Sequence, residues 1–195
     1  MNNTYYLVRH GESKFNLERR HQGWTSGNPL TQTGIFQAER LAGLLKRQAV
    51  DAIFSSPLLR TKQTARIFSK TVNKPVSYSN NLLDFRRSKS QEGLSVAEYS
   101  ALTEFQSWKE NVINNPDFSL PDGESRNMFS SRIIDFASRN DSKFSHKKIL
   151  VVTHVDVIWQ LVLYWTNKDI DKMDIKNCVV FKIQPDSNSL EKIGY

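Results

Sequence analysis

Four basic side chains in this sequence follow apolar runs and could together bind a phosphate group. Arg9 and His10 come directly after a short apolar run near the N-terminus, and Gly11 then allows a close backbone approach. Arg60 follows a second short apolar run, and His154 ends the β-branched run at residues 149–153. Ligands of α/β proteins gather at the carboxyl ends of parallel strands, so we expect these side chains to meet. Two guanidinium groups and two imidazoles at one sheet edge would suit phosphoryl chemistry.

The elements that must position these residues alternate between strands and helices. Alternation of this kind is typical of a three-layer α/β sandwich, in which helices flank a mostly parallel central sheet. We expect one domain over residues 1–195, because a chain of this length forms a single core most simply. Strands are predicted at residues 5–8, 52–54, 76–78, 149–153, 179–183 and 190–193, the last two as a hairpin, and helices at 13–18, 31–45, 58–67, 95–112, 125–139 and 156–165.

Local signals refine three of these elements. The short helix after His10 is expected to point its free N–H groups at an anion, with Asn16 near enough to join. Thr31 is a plausible cap for the next helix, and Gly34 is expected to serve close packing there. Pro57 suits the first turn of the helix that carries Arg60, where its missing N–H is harmless.

Composition limits the classes of partner and the compartment. The net charge of +7 favours anionic ligands, but Lys and Arg are scattered rather than clustered, so we expect no nucleic-acid binding. No apolar run approaches the roughly 20 residues that span a bilayer, so no membrane association is expected. The N-terminus lacks the features of a signal peptide, and the single Cys178 excludes an intrachain disulfide. A cytoplasmic location is therefore expected.

The order of motifs along the chain resembles the histidine phosphatase superfamily, the phosphoglycerate-mutase-like phosphatases. The likeness covers nearly the whole chain, and this many short motifs in register are specific where one alone would be weak. The matching positions are Arg-His-Gly-Glu at 9–12, Asn16, residues 22–25 and 29–31, Gly34, residues 37–38, Ser-Ser-Pro-Leu at 55–58 with Arg60, Thr64 and Ala65, Glu92-Gly93, residues 121–125 and His154.

The resemblance implies that His10 is a nucleophile that forms a phosphohistidine. The imidazole must be neutral to attack, and flanking Arg9 and Arg60 would disfavour its protonated form while clamping the phosphoryl oxygens. His154 would donate to another oxygen. We expect no metal and no cofactor; the expected partners are a small phosphorylated metabolite, a phosphate or sulfate ion in the pocket, and a second copy of the chain in a homodimer. Substrate-binding residues are expected to be Asn16, Gln22, Gly23, Glu92 and Val155.

Two positions depart from the pattern of this family. Asp84 follows Leu83 where the family usually has a glutamate as general acid, and the gap to Glu92-Gly93 is one residue longer. We assign the acid to Asp84 and keep Glu92 as the second candidate. Val155 follows His154 where two glycines are common, which changes how closely the backbone there can approach a phosphate.

Residues in the loops are harder to assign. Arg86, Arg87 and Lys89 either recognise a second acidic group of the substrate or are exposed charges of a loop. His21 either borders the pocket or has no part in it. The aromatic residues Trp24, Phe85 and Trp108 either line a substrate cleft or belong to the core.

The residues favour a metal-independent phosphomonoesterase. One alternative is a phosphoglycerate-mutase-type phosphotransferase, for which the chain is short. Another is a catalytically weakened phosphate-binding domain. A metallohydrolase that uses Glu12, His154 and Asp156 as ligands is the least favoured, because the flanking arginines would repel a cation.

Overall fold

The computed structural model describes residues 2–193, which form a three-layer α/β structure. The strands are β1 (Thr4–Arg9), β2 (Ala52–Ser55), β3 (Val76–Tyr78), β4 (Lys148–Thr153), β5 (Val180–Gln184) and β6 (Ser189–Ile193). They form one sheet of the order β3-β2-β4-β1-β5-β6, in which β3, β2, β4 and β1 run parallel, and β5 and β6 run antiparallel to their neighbours. The predicted mostly parallel sheet and the C-terminal hairpin are therefore confirmed.

Helices cover both faces of the sheet, and successive side chains of β1 pack into two different hydrophobic clusters, one on each face. The helices are α1 (Lys14–Leu17), α2 (Gln32–Leu45), α3 (Leu59–Val72), α4 (Val96–Ser100), α5 (Thr103–Val112), α6 (Arg126–Lys143) and α7 (Val155–Thr166). Tyr5 and Leu7 face a cluster formed with α6 and α7, whereas Tyr6 and Val8 face a cluster formed with α2 and α3. Both faces are thus buried, as continuous apolar strands require.

Close backbone contact fixes the start of α2 against the segment that follows β1. A Cβ atom at Gly34 would lie 2.0 Å from the carbonyl oxygen of Glu12, and one at Gly11 would lie 2.4 Å from the carbonyl oxygen of Gly34. Thr31 caps α2 by accepting from the Gly34 N–H, as predicted. The close packing predicted for Gly34 is confirmed, and it holds the Arg-His-Gly-Glu segment in place.

Three predicted helices differ from the structure in their bounds. The segment at 95–112 is two helices, because Leu102 is extended and turns the chain so that the rings of Tyr99 and Phe105 meet edge to face. The helix predicted over 58–67 is α3, which continues to Val72; Pro57 lies before it rather than in its first turn, since the extended Leu58 is the N-cap. The helix predicted to end near residue 139 continues to Lys143. None of the helices described is long and apolar enough to cross a membrane.

Candidate active site

The carboxyl ends of three neighbouring strands bring the predicted catalytic residues together. The sheet register places Arg9 of β1 opposite Thr153 of β4, so the residues that follow these strands, His10 and His154, are neighbours. Their rings lie 5.4 Å apart between centroids. A cavity of about 600 Å³ opens at this edge, and Arg9, His10, Gln22, Gly23, Asp84 and His154 are among the residues that line it.

The hydrogen bonds of His10 leave one ring nitrogen ready to react. Its Nδ1 lies 2.7 Å from the carbonyl oxygen of Gly11, which can only accept, so the neutral ring carries its proton on Nδ1. The lone pair is then on Nε2. Burial lowers the pKa of His10 well below its usual value, and the charges of Arg60 and Arg9 lower it further. The site therefore keeps this imidazole neutral and nucleophilic.

Arg60 and Arg9 provide buried donors that the protein does not use. Arg60 is fully buried, and its Nη2 donates to the carbonyl oxygen of Gly23 (2.9 Å) and to Oδ2 of Asp84 (3.1 Å). Its Nε and Nη1 have no partner among the described residues. Arg9 donates from Nη1 to the Ile175 carbonyl, whereas its buried Nε is also unpartnered. Unpaired buried donors are costly, and an anion in the cavity would satisfy them.

His154 is fixed from both sides of its ring. Nε2 lies 2.9 Å from the hydroxyl of Ser56, and Nδ1 lies 3.2 Å from Nη2 of Arg60. The two hydrogens of this Nη2 already go to Gly23 and Asp84, and Oδ2 of Asp84 lies 3.6 Å from Nδ1, so the ring is held between the Ser56 hydroxyl and the Arg60–Asp84 pair. Burial, followed by the charges of Arg60 and His10, lowers the pKa of His154 well below its usual value.

The helix that presents its N-terminus to the cavity is α7, not α1 as the sequence suggested. The first N–H groups of α1 are used: Lys14 donates to the Pro29 carbonyl, Phe15 to the Asn28 side chain and Asn16 to the Ser13 hydroxyl. A four-residue helix packed on a loop has none left for an anion. At the start of α7, Val155 and Asp156 line the cavity. Val155 also packs against the apolar cluster beneath this helix.

Asp84 lines the cavity beside His154 and has the electrostatics of a carboxylic acid. Its Oδ2 lies 3.1 Å from Arg60 and 3.6 Å from Nδ1 of His154, and its Oδ1 accepts from the Phe85 N–H. Burial raises the pKa of Asp84 to about 6, although the charge of Arg60 opposes the rise. A carboxyl with this pKa exchanges a proton readily near neutral pH.

Two predicted substrate-binding residues lie outside this cavity lining. The carboxylate of Glu92 accepts from the Trp24 N–H (2.8 Å) and from Nε of Arg86 (2.9 Å), so it holds the loop at residues 22–25. Asn16 uses its Oδ1 to accept from Ser13 and from the Asn177 amide. By contrast, the predicted Gln22, Gly23 and Val155 line the cavity.

Two residues that position the site had no predicted role. Ser56 holds His154, and Arg132 holds the segment that carries Asp84 by donating to the carbonyl oxygens of Asn81, Leu83 and Asp84. The sequence placed Ser56 in a motif at a strand end, which is the only signal it offered. Arg132 gave none, since its contacts reach about fifty positions along the chain. Among residues 2–193, no three His, Cys, Asp or Glu side chains are grouped as metal ligands would be.

Known proteins match this chain in sequence and in fold. The probable phosphoglycerate mutase GpmB of Proteus mirabilis is 34% identical over 151 residues, which are 76% of this chain and 68% of that protein. In its relative from Escherichia coli O1:K1 the match spans 58% of the protein. YhfR of Bacillus stearothermophilus superposes with a TM-score of 0.80 at 25% identity, covering 97% of this chain and 94% of that one.

A second solved structure has the same fold at lower identity. The alpha-ribazole phosphatase of Shigella flexneri superposes with a TM-score of 0.78 at 24% identity, over 93% of this chain and 90% of that one. The family model that describes the histidine phosphatase superfamily, branch 1, matches residues 5–193. Both histidines and Arg9 line the cavity, Arg60 contacts His154, and the chain belongs to the histidine phosphatase superfamily.

Proposed function

We propose that this protein is a metal-independent phosphomonoesterase that hydrolyses a small phosphate ester through a phosphohistidine on His10. The observation that carries the proposal is the 2.7 Å contact between Nδ1 of His10 and the Gly11 carbonyl oxygen, which places the proton of the neutral ring on Nδ1 and the lone pair on Nε2. Arg9 and Arg60 hold unpartnered buried donors close enough to depress its pKa. Their positive charge can do for a phosphate what a metal ion does in other phosphatases.

In the first step, Nε2 of His10 attacks phosphorus as the bond to the ester oxygen breaks. Asp84 gives its proton to the departing oxygen, so the product leaves as an alcohol. Free N–H groups of Arg9 and Arg60 bind the phosphoryl oxygens while their charge develops. The phosphate dianion favours protonation of His154, whose positive charge then stabilises the phosphoryl group during transfer.

In the second step, water replaces His10 on phosphorus. The Asp84 carboxylate takes a proton from the attacking water, and the electrons of the nitrogen–phosphorus bond return to Nε2. Inorganic phosphate leaves, and both side chains regain their starting protonation. A pKa of about 6 for Asp84 suits the two roles, because neither form of the carboxyl is strongly disfavoured near neutral pH.

A phosphoglycerate-mutase-type phosphotransferase is the second candidate, and its support is the name of the Proteus mirabilis relative. Such an enzyme uses the same phosphohistidine, but returns the phosphoryl group to a sugar-acid hydroxyl instead of water. Exchange between phosphoglycerate isomers that depends on a bisphosphorylated primer would distinguish it from hydrolysis. A phosphate-binding domain with weakened catalysis would bind phosphate and turn over no ester.

Turnover against a panel of phosphate monoesters tests the proposal. We expect release of inorganic phosphate in excess chelator, and a loss of about 10⁴-fold or more in the His10→Ala variant. Retained phosphate binding by that variant, measured by calorimetry, would show that it is folded. Activity that disappears with the chelator, or that survives in His10→Ala, would overturn the proposal.

A further inference from the structure

Arg87 occupies the boundary between the active-site cavity and a second cavity. The second cavity has a volume of about 580 Å³ and shares Phe85, Arg87 and Asp156 with the first. The part of a substrate that extends from the phosphate site past Asp84 and Phe85 would therefore contact the Arg87 side chain. Arg87 has no role in the proposed chemistry at His10.

The Arg87 guanidinium rests on aromatic rings and has no anionic partner. Its central carbon lies 5.1 Å from the ring centroid of Trp108, 5.6 Å from that of Tyr99 and 5.8 Å from that of Phe105. These contacts stabilise the cation but offer no acceptor to its N–H groups. Within residues 2–193 no carboxylate forms an ion pair with it.

The backbone that carries Arg87 is held in place. The Glu124 N–H donates to the Arg86 carbonyl (2.9 Å), and the Arg86 N–H donates to the Glu124 carboxylate (3.2 Å). A Cβ atom at Gly123 would lie 1.9 Å from the Arg87 carbonyl oxygen, so only glycine permits this approach. The guanidinium is thus presented from a fixed backbone onto a fixed aromatic surface, as a preorganised binding group requires.

Unpartnered polar atoms flank Arg87 in both cavities. His21, which lines the first cavity, has a buried Nε2 without a partner, and Trp108, which lines the second, has a buried Nε1 without a partner. The other basic side chains of this loop differ from Arg87. Arg86 is paired with Glu92, whereas Lys89 is exposed and lines neither cavity.

We propose that Arg87 is a specificity-determining residue that binds a second anionic group, a carboxylate or a further phosphoryl group, on the leaving portion of the substrate. The inference rests on the proposed function, because it takes the first phosphoryl group to lie at His10. It narrows the substrate class to phosphate monoesters with two separated negative charges. Trp108, through its free indole N–H, provides a further donor for the same group.

A matched series of substrates tests this assignment. The probes are ω-phosphooxy carboxylates of two to five carbons, each compared with the ω-hydroxyalkyl phosphate of equal length; diol bisphosphates form a third arm. We expect wild type to prefer one anionic series, with an optimum chain length, and Arg87→Gln to lose about 10- to 100-fold in kcat/KM for that series, mainly through KM. The series that is preferred identifies the anion as carboxylate or phosphoryl.

Lys89→Gln is the matched control, because it removes the same charge from the same loop outside both cavities. We expect the kcat/KM of Lys89→Gln for the anionic series to stay within about twofold of wild type. The kcat/KM of Arg87→Gln for p-nitrophenyl phosphate should likewise stay within about twofold. Equal losses of Arg87→Gln on anionic and neutral substrates would make Arg87 a structural residue and overturn the inference. So would a wild-type enzyme that does not distinguish the series.

A binding measurement separates this inference from the proposed function. Calorimetry with the corresponding non-hydrolysable phosphonates reads the Arg87 contact without turnover. Preferential binding of the anionic phosphonates that is lost in Arg87→Gln would support the inference even if no ester were hydrolysed, in which case the phosphatase function alone would fail. Hydrolysis of p-nitrophenyl phosphate without any such preference would sustain the function and overturn the inference.

Discussion

Replacing Asp84 by Asn should remove a proton donor without removing the shape of the side chain. In the site, this carboxyl lies against Arg60 and His154, and burial raises its pKa to about 6. Positioned general acids contribute about 10²- to 10⁴-fold to rate. We therefore expect Asp84→Asn to lower kcat/KM by this amount for an alkyl phosphate, whose leaving oxygen must be protonated. The loss should be far smaller for p-nitrophenyl phosphate, which leaves as a stable anion.

The pH dependence of the same comparison follows from the pKa of Asp84. The acid form is the active one for the first step, and its share falls from about 90% at pH 5 to about 10% at pH 7. We take the ratio of kcat/KM for the alkyl ester to that for the aryl ester, because ionisation of His10 then cancels. Each kcat/KM is calculated for the dianion of its ester, since alkyl and aryl phosphates lose their second proton at different pH. This ratio should be level below pH 6 and fall about tenfold per pH unit above it, and it should be level throughout in Asp84→Asn.

Glu92→Gln is the control that addresses the other candidate acid. Its carboxylate binds the Trp24 N–H and Arg86, so we expect this variant to lose stability and keep the sloping ratio of wild type. The assignment of Asp84 as the acid would be refuted if the alkyl-to-aryl ratio of kcat/KM fell with pH in Asp84→Asn and stayed level in Glu92→Gln. A level ratio in wild type would refute the reasoning about the Asp84 pKa itself.

Three further predictions test the fold, the electrostatics and the chemistry. Gly34→Ala should destabilise the protein by more than about 2 kcal/mol in urea unfolding because its methyl group meets a backbone carbonyl, whereas Gly43→Ala in the same helix, where the space is open, should stabilise it by up to about 1 kcal/mol. The fold lowers the pKa values of His10 and His154, so below about pH 6.5 the unfolded state binds protons that the folded state does not. Each histidine should therefore lower the free energy of unfolding by about 1.4 kcal/mol per pH unit as the pH falls. The raised pKa of Asp84 acts in the opposite direction below pH 6, so the urea midpoint should fall from pH 7 to pH 5; an unchanged midpoint would contradict the neutral histidines. Dialysis against excess EDTA should leave the turnover of p-nitrophenyl phosphate unchanged, and a loss restored by a divalent cation would contradict metal-independent catalysis.

The sequence could predict those parts of the fold that depend on local pattern. Continuous β-branched residues before His154 identify β4, and the alternation of strands with helices predicts the layered sheet. A strand end also determines where the next side chain lies, which is why Arg9, His10 and His154 could be placed at one edge. Arg60 could be added because its helix follows β2.

Properties that depend on contacts distant in sequence could not be predicted. The helical spacing of residues 95–112 is correct within α4 and α5, but a periodic pattern does not reveal the extended Leu102 between them. The N–H groups of α1 looked available because their acceptors, Asn28 and Pro29, lie on a later loop. Whether a backbone N–H is free for a ligand depends on acceptors elsewhere in the fold, and local helix propensity does not reveal them.

The loop that carries the candidate acid illustrates the same limit. The residue types of Asp84 and Glu92 are both suitable for proton transfer, and the spacing that the family favours fits neither perfectly. Only the fold distinguishes the two carboxyl groups. Arg132 holds the backbone of Asp84 beside His154, whereas the carboxylate of Glu92 accepts the N–H of Trp24. Likewise, three basic residues of one loop were equivalent in sequence. In the structure Arg87 lies between the two cavities, whereas Arg86 lies over Trp24 and pairs with Glu92, and Lys89 is exposed.

Trapping the phosphorylated protein during turnover tests the central claim most directly. A rapid quench in alkali, with substrate labelled in the phosphoryl group, preserves phosphohistidine while acid destroys it. We expect label that is stable in base, labile in acid and located on His10 by peptide mapping. With labelled p-nitrophenyl phosphate, whose leaving group needs no proton, the amount should be greater in Asp84→Asn because water is then poorly activated. Steady hydrolysis with no label on His10 at any quench time would contradict the account.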